Sequence, residues 1–153
     1  MELDHVVRVP SGIVVLETKT YGGTIEGQLN SPVWIRRTAG GVVLDGLVNP
    51  VLQNRAHVWA LEGFLGDPRV PIRGFVVSAG RARFAPEIAN AVVSVRDLRW
   101  VLSISVAAAN PRVLDAVWRR IEREAVRSPA RAVLRTRLMR AGGGEAFAIR
   151  RQT

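Results

Sequence analysis

Hydrophobic and polar positions divide the chain into a first part with short apolar segments and a last third with helical patterns. β-Branched stretches and continuous apolar runs predict strands, which lie at residues 3–9, 13–16, 24–28, 33–36, 42–45, 72–78 and 91–95. Helical patterns follow at residues 50–65, 101–109, 113–126 and 129–140. Strands, one helix, more strands and then helices predict an α/β fold with a mixed sheet.

The clearest predicted helix begins at Asn49-Pro50. Asparagine is a favoured N-cap residue, and proline suits the first helical position. Residues then recur at i, i+4, i+7 and i+11, a spacing that predicts one buried helix face. These residues are Leu52, Ala56, Trp59 and Gly63.

The first two predicted strands form a hairpin that brings charged side chains to one end. A loop at residues 10–11 would place Asp4 opposite Glu17, and a loop at residues 11–12 would place Asp4 opposite Lys19. Strand side chains alternate with a period of two, so both registers put these three side chains on one sheet face. Directly opposed Cβ atoms lie about 5 Å apart. Two carboxylates and one ammonium are therefore predicted to converge.

Two neighbouring carboxylates repel each other unless a cation lies between them. Mg²⁺ (or Mn²⁺) suits this place, because Mg²⁺ prefers oxygen ligands and keeps several waters beside one or two carboxylates. We expect Asp4 and Glu17 to ligate the ion, with the Thr18 carbonyl as a further oxygen. If such an ion activates a water for attack on a phosphodiester, Lys19 would hold or deprotonate that water, or stabilise the transition state of the attack. The alternative is a solvated Glu17–Lys19 pair at a strand end.

Composition sets Lys19 apart from every other basic residue. The chain has 22 basic side chains, and Lys19 is the only lysine among them. Lysine is a compact point charge, whereas arginine carries a wide, permanently charged head. The 153 residues contain no cysteine, which excludes disulfides and thiolate metal sites. The longest apolar run, residues 100–109, is too short to cross a membrane, so a cytoplasmic location is the default expectation.

The net charge of +9 is concentrated near the carboxy terminus. Residues 111–153 carry 11 arginines and four acids, which accounts for +7 of it. Such a segment attracts polyanions, and Arg131, Arg135 and Arg137 on the last predicted helix are candidate nucleic-acid-binding residues. The alternative is a solvated helix surface, because the arginines are dispersed.

Five motifs occur in order along the chain: Glu2–Val7, Gly12–Ile25, Trp34, Asn49–His57 and Ile72–Ser78. Together they resemble the nuclease-related domain family (NERD), which belongs to the PD-(D/E)xK, restriction-endonuclease-like superfamily. The resemblance covers roughly residues 2–85. It implies a mixed central sheet flanked by helices, with an amino-terminal hairpin and carboxy-terminal helices. It also implies metal ligation by Asp4 and Glu17, with Lys19 as the catalytic lysine.

The same resemblance places Gln53 at the catalytic site. Gln53 lies one turn into the predicted helix, near the positive end of its dipole, where an anion is favoured. The alternative is a surface amide bonded to His57 four residues later. His57 itself is expected to be structural rather than a metal ligand.

The function implied by the resemblance is that of a Mg²⁺- or Mn²⁺-dependent nuclease. Such a hydrolase cuts phosphodiester bonds. The expected partner is nucleic acid, with DNA as the first candidate. The family usually has a helix and a strand before the Asp4 strand, often with another acidic residue. We therefore expect residues 1–100 to form the core without that element, and residues 101–153 to add basic helices to the same domain. The alternative is a catalytically inactive nucleic-acid-binding or interaction module of this fold.

Overall fold

A computed structural model describes residues 3–103, 107–127, 132–134 and 146–150, with side chains up to residue 125. The strands are β1 (His5–Val9), β2 (Gly12–Lys19), β3 (Thr24–Glu26), β4 (Val33–Arg37), β5 (Val43–Val48), β6 (Ile72–Ser78), β7 (Arg83–Phe84), β8 (Val92–Ser94), β9 (Ala132–Leu134) and β10 (Ala146–Arg150). The helices are α1 (Pro50–Leu65), α2 (Pro86–Ala89), α3 (Val95–Ser103) and α4 (Pro111–Arg127).

The described strands form two sheets. The larger has the order β8-β6-β2-β1-β10-β9, in which β2, β6 and β8 are parallel and β1 is antiparallel to both of its neighbours. The smaller has the order β5-β4-β3-β7, with β5 at an edge as predicted. Mixed sheets flanked by helices confirm the predicted α/β fold with its amino-terminal hairpin.

The core of the larger sheet lies on both of its faces. Helices α1 and α4 cover one face, where Val6, Ile13 and Val15 pack with Leu61 and Trp118. Helix α3 contributes Leu98 and Leu102 to the other face, against Val7, Val14 and Leu16. Residues 13–16 are at most 5% exposed, as expected for a strand covered on both faces.

The hairpin adopts one of the two predicted registers. Val9 pairs with Gly12 and His5 pairs with Leu16, so the loop consists of residues 10 and 11. Continuing this register places Asp4 opposite Glu17. Both then belong to the sheet face covered by α1, because Val15 lies on that face and strand side chains alternate.

The predicted buried face of α1 is wrong. Trp59 is 64% exposed, and the buried residues include Asn54, Leu61 and Leu65. A Cβ atom built on Gly74 of β6 would lie 2.8 Å from Asn54 Nδ2 and from Val58 Cγ2. The helix therefore packs closely over a glycine through a polar residue, which hydrophobic periodicity does not reveal.

The later helices also begin and end differently from the prediction. Helix α3 begins at Val95, because Ser94 Oγ accepts a hydrogen bond from the Asp97 amide at 3.2 Å. Ala109 lies outside any helix, and its amide donates to the Pro10 carbonyl at 3.0 Å. This anchors the segment to the hairpin loop.

Beyond residue 127 the helix predicted at residues 129–140 is wrong where the structure describes it. Residues 132–134 form strand β9 rather than part of a helix, and residues 146–150 form β10. Strand β10 pairs with β1 and so covers an otherwise open sheet edge. Arg131, Arg135 and Arg137 lie outside the described residues, and the division near residue 100 stays a prediction. Within the described part of the chain, every helix is too short or too polar to cross a bilayer.

Candidate active site

The candidate site lies where three parallel strands end beside the start of α1. Lys19 of β2 pairs with Ser78 of β6, and Ser78 pairs with Ser94 of β8, so the carboxyl ends of these strands are level. Ligands of open α/β sheets commonly bind in the crevice outside such strand ends. The charged end of the hairpin therefore lies where open α/β sheets commonly bind their ligands.

Asn49 holds the first turn of α1 in place. Its side-chain oxygen accepts hydrogen bonds from the amides of Val51 and Leu52 at 2.9 and 3.4 Å. Its Nδ2 donates to the carbonyls of Leu29 and Ser31 at 2.8 and 2.7 Å. The predicted N-cap is confirmed, and it also ties the helix to the loop between β3 and β4.

Glu17 is the buried centre of the site, with a side chain only 1% exposed. One carboxylate oxygen, Oε1, lies 2.5 Å from Lys19 Nζ. The other, Oε2, lies 3.3 Å from His57 Nδ1, but the two atoms do not have the orientation of a hydrogen bond. A buried carboxylate is stable only with nearby positive charge or hydrogen bonds. Lys19 supplies the positive charge.

Helix α1 contributes Gln53 to the same cluster. Lys19 Nζ donates to Gln53 Oε1 at 3.2 Å, so the ammonium lies between the carboxylate and the amide oxygen. Glu17, Lys19 and Gln53, separated by as much as 36 positions, are thus brought into direct contact. The alternative Gln53–His57 surface pair is not what the structure has, because both side chains point to β2.

Asp4 lies at the same end of the hairpin and contacts the backbone of β2. Its Oδ2 accepts a hydrogen bond from the Thr18 amide at 2.9 Å, which fixes the carboxylate beside the end of β2. The Thr18 hydroxyl lies 3.4 Å from His5 Nδ1. By strand alternation this second contact is on the sheet face opposite Glu17.

Tyr21 links the site to the smaller sheet. It packs against the cluster of Ile25, Trp34 and Ile88. Burial raises the pKa of its phenol, and the nearby Lys19 charge opposes this effect. Tyr21 is therefore a neutral hydrogen-bonding group at neutral pH.

The residues present fit a metal ion bound by few protein groups. Among the described residues no three His, Asp or Glu side chains gather as a ligand set. Mg²⁺ does not require one, because it is usually held by one or two carboxylates with water and phosphate oxygens. The buried Glu17 Oε2, which has no hydrogen bond, is an available ligand, and the Asp4 carboxylate is held at the Thr18 amide, one residue further along β2. Ligation by the Thr18 carbonyl stays a prediction.

Sequence reasoning missed the contact between His57 and Glu17. The signal was the i, i+4 spacing of Gln53 and His57, which places both on one helix face. It also missed Asn54, whose Nδ2 donates to the Val15 carbonyl at 3.3 Å. Both contacts depend on how α1 docks on the sheet.

Comparison with known proteins gives a match to one protein family. The family model described as the nuclease-related domain (NERD) matches residues 1–79, just over half of the chain. The matched range includes the four candidate catalytic residues Asp4, Glu17, Lys19 and Gln53. Searches of curated proteins and of solved structures gave no match. Because this family model matches more than half of the chain, the chain belongs to the nuclease-related domain family.

Proposed function

We propose that this protein is a metal-dependent nuclease that hydrolyses phosphodiester bonds, with DNA as its substrate. The observation that carries the proposal is the buried Glu17 in contact with the chain's single lysine, itself hydrogen-bonded to Gln53. This arrangement lies at the carboxyl ends of parallel strands in a member of the nuclease-related domain family. It combines a metal ligand with a fixed cation.

The metal would be held by Asp4 and Glu17, with the Thr18 carbonyl as a further oxygen. When bound, Mg²⁺ or Mn²⁺ would lower the pKa of a water and neutralise charge on the scissile phosphate. Glu17 could ligate the ion through Oε2 and keep its contact with Lys19, because Lys19 contacts the other oxygen, Oε1.

Lys19 stabilises charge on the phosphate or holds the attacking water. An ammonium has three N–H donors. Two of them have acceptors in Glu17 Oε1 and Gln53 Oε1, which leaves the third for a substrate oxygen or a water. The lysine side chain is 21% exposed, so it is not fully enclosed by protein. A preorganised donor of this kind stabilises charge that develops in the transition state.

Gln53 positions Lys19 and lies in the first turns of α1. The amino-terminal end of a helix carries a positive partial charge, which favours a phosphate. Asn49 already accepts from two first-turn amides, so the helix acts here through its field rather than through those two donors.

The test is cleavage of plasmid and linear DNA with Mg²⁺, with Mn²⁺ and with a chelator. We expect metal-dependent cleavage by the wild type and its loss in Lys19→Ala and Asp4→Asn. Arg36→Ala is the matched control, because it removes a cation of the smaller sheet outside the cluster. Cleavage that persists unchanged in both site variants would sink the proposal.

The net charge of +9 favours a second candidate, a nucleic-acid-binding module that does not cut. It predicts salt-dependent binding without hydrolysis. Replacing Arg131, Arg135 and Arg137 together should then flatten the salt dependence, since each lost phosphate contact lowers the slope. An unchanged slope would leave these arginines without a role in binding.

A further inference from the structure

The interface between α1 and β2 contains three buried polar atoms with no hydrogen-bond partner among the described residues. They are Glu17 Oε2, His57 Nδ1 and Asn54 Oδ1. Buried polar atoms are nearly always paired with protein or with ordered water. Three unpaired atoms along one interface therefore indicate a species that binds between the helix and the strand.

The separation of two of these atoms indicates what that species is. Glu17 Oε2 and His57 Nδ1 lie 3.3 Å apart, yet they form no hydrogen bond with each other. With metal–ligand bonds of about 2.1 Å, two donors on one ion lie about 3.0 Å apart at 90° and about 3.4 Å apart at a tetrahedral angle. The observed separation falls between these values.

We propose that Glu17 Oε2 and His57 Nδ1 bind one divalent transition-metal ion together and that His57 makes the site prefer such ions over Mg²⁺. Imidazole nitrogen is a ligand for first-row transition metals, whereas Mg²⁺ selects oxygen. The proposal rests on the proposed function, because it uses the same carboxylate. It revises the expectation that His57 is only structural.

The surroundings of the two atoms are compatible with this role. Lys19 contacts Oε1 of the carboxylate, so ligation through Oε2 does not require the ion pair to break. Asn54 lies three residues before His57 on the same helix face, and its Oδ1 has no hydrogen-bond partner, so it could accept a hydrogen bond from a water on the ion. Glu17 and His57 would occupy two positions on the ion, and Asp4, the Thr18 carbonyl, and water or phosphate oxygens would take the others.

The experiment uses the full chain without nucleic acid and Mn²⁺ as the probe. Mn²⁺ is the weakest binder of the transition-metal series, so it tests the site stringently, and it is paramagnetic. Electron spin-echo modulation from wild-type protein with Mn²⁺ should show a directly coordinated ¹⁴N nucleus. In His57→Gln the ¹⁴N signal should disappear and Mn²⁺ affinity should fall about tenfold or more, while Mg²⁺ affinity, measured by competition, should change less than about twofold.

The chain offers a matched control, because its only other histidine is His5. His5 lies on the opposite sheet face, by strand alternation. His5→Gln should keep the ¹⁴N signal and the wild-type affinities. If His57→Gln does not fold, a ¹⁴N signal that persists in His5→Gln assigns the coupling to His57, because no other histidine is then present.

Two outcomes would overturn the proposal: no ¹⁴N coupling in the wild type, or the same coupling in His57→Gln. A direct ion pair between protonated His57 and Glu17 predicts the first of them. Neither outcome affects Mg²⁺-dependent cleavage by the wild type, which tests the proposed function separately. Cleavage that persists unchanged in both Lys19→Ala and Asp4→Asn would remove the nuclease assignment even where the ¹⁴N coupling is present.

Discussion

The two sheets each contain a pair of oppositely charged side chains, Arg36–Asp45 in the smaller sheet and Glu17–Lys19 in the larger. The pairs differ in burial and in hydrogen bonding. In the smaller sheet Arg36 and Asp45 lie directly opposite each other on β4 and β5. Two hydrogen bonds of 2.8 and 2.7 Å join them, and both side chains are at least 31% exposed. In the larger sheet Glu17 is 1% exposed and has one carboxylate oxygen without a hydrogen bond.

The difference separates a surface pair from a candidate functional pair. Exposed ion pairs contribute about 0–1 kcal/mol, because water already solvates both charges. A buried charge costs several kcal/mol of desolvation, and replacing a buried pair by apolar groups is often neutral or stabilising. The buried pair therefore has no stability advantage to explain it, and its unused acceptor is what a metal site requires.

The largest expected effect is that of Lys19→Ala on catalysis. Loss of a preorganised donor to transition-state charge lowers kcat by about 10²–10³-fold. Lys19→Arg should not restore activity, because the planar guanidinium does not reproduce a point charge between two acceptors. The measurement is single-turnover cleavage of DNA, with binding measured in parallel. A kcat within twofold of wild type would make the buried pair as dispensable as the surface pair.

Gly74→Ala should lower the free energy of unfolding by about 1–3 kcal/mol, because overpacked interiors distort. Its new Cβ would lie 2.8 Å from Asn54 and Val58 and push α1 away from the sheet. Gly63→Ala is the control, since nothing lies within 4 Å of that position; it should stabilise the helix by about 0.5–1 kcal/mol. Denaturant unfolding measures both. Equal effects would contradict the close packing of α1.

Removing the Arg36–Asp45 pair should have a smaller effect. A double-mutant cycle with Arg36→Ala and Asp45→Ala should give a coupling free energy of about 1 kcal/mol or less, decreasing as salt is added. A coupling above about 2 kcal/mol that does not respond to salt would contradict the contrast between the two pairs.

The smallest expected effect concerns Asp67, whose pKa the neighbouring Arg69 holds at about 2, below the ordinary value of 3.8. Because the folded pKa is the lower one, the stabilisation is present above about pH 4 and is lost as the pH falls towards 2. NMR titration of the Asp67 carboxyl should show the low pKa in the wild type and a value nearer 3.8 in Arg69→Ala. The same pKa in both proteins would mean that the ion pair does not form in solution.

Local physics accounts for what could be predicted from the sequence. Strand alternation placed Asp4, Glu17 and Lys19 on one face for either hairpin register, and side-chain capping chemistry identified Asn49 as the start of α1. The contacts of His57 and Asn54 could not be predicted, because they depend on a helix docked over Gly74, 17 positions beyond His57. The start of α3 was misplaced because the Ser94 cap overrides the apolar run that follows it.

The pairing of β1 with β10 has a consequence for the order of folding. Glu17 meets its partners through a two-residue hairpin loop and a helix within the first 65 residues, and hairpins and helices each form within about 10 μs. The outer edge of β1 waits for Phe147, which pairs with Val6 across nearly the whole chain. Loop-closure entropy delays so distant a contact. During synthesis the cluster around Glu17 should therefore assemble first, and β10 should cover the edge of β1 afterwards.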